Sequence, residues 1–478
     1  MRSSAVCGWL VAGSTFLAGC AERAALREIG VGDAEWSSYR AAAERIAVHC
    51  RETDGAYRKL EQLCDDIGHR VSGSEALAAA TRWAAATLRA DGHEAVALEP
   101  VSVVHWVRGR ESCELVEPRA MPMAMLGLGG SVATPPGGIS AEVKVVHDEA
   151  ELERLGSGAA GRIVLFDNPM PPFDAAHGAR YGETVRFRGK GASLAAKKGA
   201  VACLIRSVTA HSLRTPHTGA MRYEEGVAKI PAAALSTEDA AMISRLTTRG
   251  QRVAVRLEME AHTEPAPAMS ANVVGELRGR ERPEEVVVIG GHIDSWDVGQ
   301  GAHDDGAGCA MAMEALTVLR QLKLTPRRTI RVVLWTNEEN GLAGGRAYFG
   351  RHAAEAKQHV AAIECDSGAF RPLGFGYECA SASQTARVGG RLAGAAELLR
   401  SIGATEMHAG GSGADLSPWE KSGCVLLGLS VEGSHYFDYH HTPADTFDKI
   451  DRHDLQQCVA ALATMAYFLA ETPRRIGE

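Results

Sequence analysis

Nearly all-apolar runs alternate with amphipathic segments along the second half of the chain. Four such runs are EEVVVIGGH, TIRVVLWTNEE, HVAAIECDSG and GCVLLGLS, and segments with helical periodicity separate them, such as AGCAMAMEALTVLRQL and QTARVGGRLAGAAELLRSIG. Strands this apolar are typical of a sheet that helices cover on both faces. We therefore predict an α/β fold with a mixed, mostly parallel sheet sandwiched by helices, whose main part covers residues 263–478.

The first half of the chain divides into two regions. Helical periodicity is found in YRAAAERIAVHC and in ALAAATRWAAATLRADG, which stops at Gly92, and a strand-like segment, EAVALEPVSVVHWVRG, follows. The Gly/Pro-rich stretch LGLGGSVATPPGGI then marks a boundary. After it come a compact mixed segment with the strands GRIVLFD and RVAVRLEME, and a linker, HTEPAPAMS. We place the N-terminal part of the main domain at residues 21–126 and a smaller α/β unit at residues 127–262.

An apolar stretch opens the chain. Arg2 precedes AVCGWLVAGSTFLAGC, which is too short and too rich in small residues for a membrane span, so residues 1–20 are interpreted as a signal peptide. The ending LAGC resembles a bacterial lipobox, in which Cys20 becomes the lipidated first residue of the mature chain. The alternative is an ordinary signal peptide. We expect an exported protein of the cell envelope, lipid-anchored at the periplasmic or outer-membrane side or otherwise secreted.

Composition narrows the classes of partner. A net charge of -8 and a pI near 6.2 argue against nucleic-acid binding. With 45% hydrophobic and 23% charged residues over 478 positions, the chain has the composition of a soluble globular protein of more than one domain. Outside Cys7 and Cys20 the number of cysteines is odd, and no CxxC pair suggests a thiolate zinc site.

Acidic and imidazole groups follow the predicted strands. The strand VVVIGG is followed by His292, VVLWTN by Glu338 and Glu339, and VAAIEC by Asp366. In open α/β sheets, ligands bind in the crevice beyond the carboxyl ends of the strands. The stretch HIDSWDVGQGAHDDGAG crowds further charged groups that repel one another unless a cation compensates them. These segments therefore predict a metal site at this edge of the sheet.

The predicted ligand set has five members: His292, Asp304, Glu339, Asp366 and His441. Two imidazoles and three carboxylates suit zinc, which takes nitrogen and oxygen ligands and keeps open positions in catalytic sites. If one carboxylate bridges, such a set can hold two zinc ions about 3.5–4 Å apart. Asp304 is the natural bridge, because its glycine-rich loop lets the backbone approach closely.

Two further carboxylates are predicted to be catalytic. Glu338, beside the ligand Glu339, can act as the general base for a metal-activated water. Asp294, close after His292, can accept the imidazole N–H of His292 and so fix its tautomer.

Several motifs of the chain resemble those of a known enzyme family. GGHIDSWDVGQGAHDDGAG, NEENGLAGG, ECDSG and HHTPADT are similar to motifs of the co-catalytic dizinc aminopeptidase/carboxypeptidase family, which includes bacterial leucyl aminopeptidase. The resemblance implies that His292 and Asp366 bind one zinc, that Glu339 and His441 bind the other, that Asp304 binds both, and that Glu338 is the base. It further implies that residues 127–262 are a protease-associated-type insertion and that the protein is a homodimer.

Some roles stay open. His303 is an unusual neighbour for a bridging Asp304, and His440 competes with His441, although the motif places the ligand immediately before Thr442. GGSGADLSPWEKSG resembles a loop near the substrate pocket of the family. Substrate contacts are expected from Asp415, Ser434 and Tyr436.

Function follows from the site and the resemblance. We expect a zinc-dependent exopeptidase that hydrolyses small peptides, either dipeptides or terminal residues of longer chains. The alternatives are an aminopeptidase of the same family and a non-catalytic metal-binding ectodomain. A serine hydrolase is excluded because the chain has no G-x-S-x-G, and a Rossmann oxidoreductase because no G-x-G-x-x-G opens a helix after a strand.

Overall fold

The computed structural model describes residues 23–478, so the predicted signal peptide and Cys20 lie outside the described residues. The strands are β1 (Glu94–Val103), β2 (Trp106–Val107), β3 (Glu111–Glu117), β4 (Met121–Met123), β5 (Met125–Gly127), β6 (Ile139–Val146), β7 (Ile163–Phe166), β8 (Ala202–Arg206), β9 (Ala232–Leu235), β10 (Ala254–Met259), β11 (His262–Thr263), β12 (Ala268–Leu277), β13 (Arg282–His292), β14 (Arg328–Trp335), β15 (His359–Glu364), β16 (Pro372–Glu378), β17 (Glu406–Ala409) and β18 (Val425–Val431).

The helices that connect these strands are α1 (Asp33–Glu52), α2 (Gly55–Gln62), α3 (Glu75–Ala90), α4 (Glu149–Leu155), α5 (Tyr181–Thr184), α6 (Arg186–Ala196), α7 (Thr237–Thr248), α8 (Ala307–Gln321), α9 (Ala343–Arg351), α10 (Ala382–Ala396), α11 (Tyr436–Tyr439) and α12 (Arg452–Glu471). No helix among residues 23–478 combines the length and the apolar character needed to cross a membrane.

The main sheet has eight strands in the order β1-β12-β14-β13-β15-β18-β16-β17. Its centre is parallel, because β13 pairs in parallel with β14 and β15, and β15 with β18. The outer pairs β1–β12, β12–β14 and β16–β18 are antiparallel. The predicted mixed α/β sheet is therefore confirmed.

Both faces of the central strands are buried. Along β13, Val287 and Ile289 belong to one hydrophobic core, while Val286 and Val288 belong to another. Successive side chains of a strand point to opposite faces, so a strand that contributes to two cores must be covered on both. This explains why the strand patterns in the sequence are continuous apolar runs without alternation.

A second eight-stranded sheet, in the order β4-β3-β10-β6-β7-β8-β9-β5, has its own hydrophobic cores. All of its strands lie in the chain between β1 and β12 of the main sheet, so this unit is inserted into the main domain. Its first strand begins at Glu111, and the predicted boundary at residue 127 is therefore too late. The Gly/Pro-rich stretch is a loop inside the unit, between β5 and β6.

The boundary error has a physical cause. Strand β3 pairs with β10, and β5 pairs with β9, both far away in the chain. Local composition predicts that a segment is a strand, but long-range pairing decides to which sheet the strand belongs.

A buried ion pair joins the N-terminal helix α2 to helix α8. The Nζ atom of Lys59 on α2 lies 2.6 Å from Glu314 Oε2 on α8 and 3.0 Å from Asp91 Oδ2. Gly55 permits this approach, because a Cβ atom at residue 55 would lie 2.0 Å from Glu314 Oε1. The Lys59 side chain is 11% exposed and that of Glu314 is 4% exposed.

We expect Lys59→Ala to lower the free energy of unfolding by about 3–5 kcal/mol, because it leaves a buried carboxylate without its cation. Arg58→Ala, one position away on an exposed side chain that pairs with Asp54, should cost less than about 1 kcal/mol. Urea unfolding of both variants measures the difference. Equal, small losses would show that the buried pair does not stabilise this contact.

Candidate metal centre

Strand register brings the predicted site segments to one edge of the main sheet. His292 pairs with Trp335 across β13 and β14, and Gly290 pairs with Glu364 across β13 and β15. The three parallel strands therefore end side by side. His292 ends β13, and the loops after these strands carry Asp304, Glu338, Glu339 and Asp366, as expected for an open α/β sheet.

One half of the cluster lies at the end of β13. The Nε2 atom of His292 is 3.2 Å from Asp304 Oδ1 and 3.5 Å from Asp366 Oδ1. His292 and Asp304 are buried, and the Asp366 side chain is 22% exposed toward the cleft. These three residues present one ligand atom each within 4.8 Å of one another.

The other half shares the same carboxylate. The Nε2 atom of His441 is 3.2 Å from Asp304 Oδ2 and 3.0 Å from Glu339 Oε2. One oxygen of Asp304 thus faces His292, and the other faces His441. All five predicted ligands are brought together, and Asp304 lies between two imidazole–carboxylate pairs.

Charge in this cluster is not balanced by the protein. Within the described chain, Glu339 Oε1 is buried and accepts no hydrogen bond, and the buried Asp304 Oδ2 has only the imidazoles of His441 and His440 near it. Burial raises the pKa of Glu339 and of Asp366, and the neighbouring Asp304 raises both pKa values further. Buried oxygens of this kind require a cation or a proton.

The two imidazoles respond to the same excess of negative charge. Burial by itself would lower the pKa of His441, but Glu339 and Asp304 raise it to about 9. For His292, burial is likewise outweighed, chiefly by Asp366 and Asp304, which raise its pKa. Both imidazoles therefore face an excess of negative charge at the positions where a metal ion would bind.

Asp294 has a different role from the predicted one. The Nδ1 atom of His292 lies 3.0 Å from the backbone carbonyl oxygen of Asp294 and 4.0 Å from its carboxylate. The Asp294 carboxylate instead accepts the backbone N–H groups of Glu338, at 3.0 Å, and Glu339, at 3.3 Å. The prediction that this carboxylate fixes the His292 tautomer is wrong, because the backbone carbonyl is nearer to the ring. Asp294 orients the Glu338–Glu339 turn.

Two residues that the sequence analysis did not single out hold the ligand loop. Asp305 accepts the backbone N–H of His292 and of Gly308, each at 2.9 Å. Arg70 is fully buried and donates to the carbonyl oxygens of Ile293, Gln300 and Gly301. The pair Asp304–Asp305 is joined by a cis peptide bond. No local sequence pattern indicated that Arg70 contacts this loop, because Arg70 lies far from HIDSWDVGQGAHDDGAG in the chain.

Asp445, in the motif HHTPADT, closes the same loop from the other side. Its carboxylate accepts the backbone N–H of His303 at 2.7 Å and of Asp304 at 3.2 Å. Burial raises the pKa of Asp445 to about 7. The segment that supplies His441 therefore also positions the Asp304 backbone.

His303 and His440, which neighbour predicted ligands in the sequence, differ in their distance from the cluster. His303 stacks on Phe370 at 4.4 Å, and its Nδ1 accepts the backbone N–H of Ala369, so it packs away from the cluster. His440 stacks on His441 at 3.5 Å, and its Nε2 lies 3.7 Å from Asp304 Oδ2. His440, His441 and Asp304 can also present three ligand atoms together. His441 makes the shorter contacts with Asp304.

Glu338 and the three expected substrate residues fall in different places. Glu338 and Tyr436 line the cleft above the cluster. Asp415 is fully buried, accepts the backbone N–H of Gly345, and has its pKa raised by burial to about 8. The Ser434 hydroxyl donates to Glu432. Neither Asp415 nor Ser434 is among the residues that line the cleft.

The cleft has a volume of about 1290 Å³ and both units contribute to it. The main domain supplies the cluster and Glu338, and the inserted unit supplies Phe173, Tyr181 and Arg188 among others. A half-enclosed cavity of this size with acids of raised pKa at its floor has the character of an active site.

Comparison with known proteins assigns this architecture to a class of hydrolases. The sequence profile of peptidase family M28 matches residues 272–466. Carboxypeptidase Q of Xenopus laevis is 42% identical over 440 residues, which are 91% of this chain and 91% of that protein. The crystal structure of a peptidase M28 precursor from Shewanella amazonensis superposes with a TM-score of 0.86 at 36% identity, covering 91% of this chain and 97% of that one. A zinc aminopeptidase from Bacillus subtilis, at 19% identity and a TM-score of 0.63 over 87% and 94% of the two chains, shares the fold.

The fold and the ligand cluster define a metallo-exopeptidase, a hydrolase of terminal peptide bonds. The chain belongs to peptidase family M28, with carboxypeptidase Q among its relatives. This membership sets aside the alternative of a non-catalytic ectodomain.

The hydrogen bonds of Asp294 lead to a prediction. Asp294→Ala removes the acceptor for two backbone N–H groups that position Glu338 and Glu339, so we expect a 10- to 100-fold loss of activity or metal affinity, by order of magnitude. Asp239→Ala is the control, because this buried carboxylate also accepts a backbone N–H, that of Ala124, but in the inserted unit. Metal titration and steady-state kinetics measure both. A loss of equal size in the control would assign the effect to stability alone.

Proposed function

We propose that this protein is a zinc-dependent exopeptidase of small peptides, with two zinc ions per chain. The observation that supports the proposal most strongly is the placement of Asp304, whose two carboxylate oxygens each face a separate imidazole–carboxylate pair. A single carboxylate between two such pairs is the arrangement that a bridging ligand requires.

The residues present suit zinc. His292 and Asp366 would hold one ion, Glu339 and His441 the other, and Asp304 both. The set offers only nitrogen and oxygen atoms, and its buried carboxylate oxygens without hydrogen bonds are the groups that a cation would satisfy. Zinc supplies a Lewis acid that polarises the scissile carbonyl and lowers the pKa of water.

Glu338 is the proposed general base. It lines the cleft beside Glu339, and its backbone N–H is held by Asp294. Burial among Asp366 and Glu339 raises its pKa, which favours a group that takes up and then releases a proton. Glu338 takes a proton from the attacking water as the oxygen adds to the peptide carbonyl. It then delivers this proton to the leaving amine as the C–N bond breaks.

The substrate is a small peptide, either a dipeptide or the terminal residue of a longer chain. The cleft is bounded by the inserted unit, including Phe173 and Tyr181, and Tyr436 is the expected substrate contact that it contains. Asp415 lies beneath the cleft and would act on substrate only through neighbouring groups. An aminopeptidase that reads only the free amine is the alternative.

The setting of the enzyme is part of the same proposal. The apolar opening segment and the LAGC ending favour export and a lipid on Cys20, which would hold the enzyme at a membrane surface of the cell envelope. The family resemblance favours a homodimer and a protease-associated-type role for the inserted unit. A net charge of -8 gives no support to a nucleic-acid partner.

Metal removal tests the cofactor. We expect a chelator to abolish hydrolysis of a free dipeptide and zinc to restore it, with two zinc ions bound per chain by elemental analysis. His441→Ala should bind about one ion fewer, because it removes a ligand that contacts both Asp304 and Glu339. His440→Ala is the matched comparison, and two bound ions are expected there. Loss of zinc only in His440→Ala would exchange the two assignments.

Replacement of the base tests the chemistry. We expect Glu338→Ala to keep the fold and both zinc ions but to lose at least about 10²-fold in kcat, since general base catalysis contributes roughly 10²–10⁴-fold. Glu420→Ala, which removes an exposed carboxylate outside the cleft, should leave kcat unchanged. Dipeptide hydrolysis with zinc-loaded protein measures both. Retained activity in Glu338→Ala would remove this residue from the role.

A further inference from the structure

Arg188 is a cation in the cleft wall for which the chemistry described above has no use. It lies in the first turn of α6, in the inserted unit, and is only partly exposed. Among residues 23–478 no carboxylate lies within 4.0 Å of its guanidinium, although the cleft floor below it is rich in acids. Its guanidinium carbon lies 5.4 Å from the centre of the Tyr181 ring, and its Nε atom has no hydrogen-bond acceptor in the part of the chain that the structure describes. A half-buried guanidinium without a carboxylate is available to a ligand.

Its polar neighbours do not exhaust its hydrogen-bonding capacity. Arg188 Nη1 lies 3.4 Å from His441 Nδ1, and the same Nδ1 lies 3.3 Å from the carbonyl oxygen of Thr218. A guanidinium has five N–H donors, and His441 and Tyr181 can engage only some of them. Arg188 therefore keeps donors for a ligand beside an imidazole of the cluster.

The backbone opposite Arg188 is shaped to admit the guanidinium. Gly219 has a φ of +138°, and a Cβ atom at this position would lie 2.6 Å from the guanidinium carbon of Arg188. Any other residue at 219 would displace the guanidinium from this position and strain the backbone. The inserted unit thus holds the charge in one place by its fold.

We propose that Arg188 binds the C-terminal carboxylate of the peptide, so that the enzyme cleaves peptides whose last peptide bond lies at the metal cluster. This inference rests on the proposed exopeptidase function and specifies its substrate class. Only the imidazole of His441 separates the guanidinium from Asp304 and Glu339, so a carboxylate on Arg188 belongs to the residue just beyond the reacting carbonyl. The planar fork of arginine matches a carboxylate with two parallel hydrogen bonds.

Arg188 supplies a positive charge on the side of the cleft formed by the inserted unit, apart from the cluster on the cleft floor. A substrate carboxylate placed there would gain charge-assisted hydrogen bonds. A substrate amide, which has no charge to place there, gains nothing from Arg188.

The test compares a free dipeptide with its C-terminal amide, using the zinc-loaded full chain. The wild type should favour the free dipeptide in kcat/KM, and Arg188→Gln should lower kcat/KM for the free dipeptide on the order of 100-fold, mainly through KM. The amide should be cleaved equally well by both proteins. Arg188→Lys should recover part of the loss. Arg186→Gln is the control, since this arginine lies two positions earlier on the same helix and neighbours Glu149 outside the cleft.

Two results would overturn the inference. Equal losses for the free dipeptide and the amide in Arg188→Gln would mean that Arg188 only supports His441. A wild type that cleaves the amide as well as the free dipeptide would leave the exopeptidase function intact and remove the carboxylate requirement. If Arg188→Gln fails to fold, this wild-type comparison and Arg188→Lys still decide the question.

A binding measurement separates this inference from the proposed function. Calorimetry on the Glu338→Ala chain should show tighter binding of the free dipeptide than of the amide, and Arg188→Gln in that background should abolish the difference. If the wild type binds zinc but cleaves neither compound, the proposed function fails, and this measurement alone decides the role of Arg188. Equal binding of the two compounds contradicts the inference whatever the kinetics show.

Discussion

The active-site edge of this protein is organised by one buried carboxylate that interacts with two imidazoles. Asp304 contacts His292 through one oxygen and His441 through the other, and Asp366 and Glu339 complete the two sides. The negative charge of this cluster exceeds what the imidazoles compensate, which raises their pKa values. Buried charge of this kind requires cations or protons to compensate it, so the arrangement of the whole cluster depends on Asp304.

Several buried polar groups hold the Asp304 carboxylate in place. Asp305 and Asp445 accept backbone N–H groups on either side of Asp304, and Arg70 donates to carbonyl oxygens of the same loop. Asp294 does the same for the turn that carries Glu338. Each of these interactions joins the glycine-rich loop to a different part of the chain. These contacts fix the loop at several points, although its glycine content would permit many backbone conformations.

The inserted unit forms one wall of the cleft. The metal cluster and Glu338 come from the main domain, whose strands end at the cleft floor, whereas Arg188, Tyr181 and Phe173 come from the second sheet. A hydrolytic centre on the main sheet is thereby separated from a wall that can recognise the rest of the peptide. Thr218 connects the two, since its carbonyl oxygen accepts from His441.

The sequence alone determined the α/β class, the central strands and the cluster of His292, Asp304, Glu339, Asp366 and His441, because apolar runs and the charged residues after them are local signals. Tertiary structure decided what depends on distant partners. The strands from Glu111 onward joined the second sheet through pairing with β10 and β9, and the Asp294 carboxylate turned to backbone N–H groups across the sheet edge. Arg70 and Arg188 reached the site from remote segments, and no pattern within their own segments could reveal where their charges would lie.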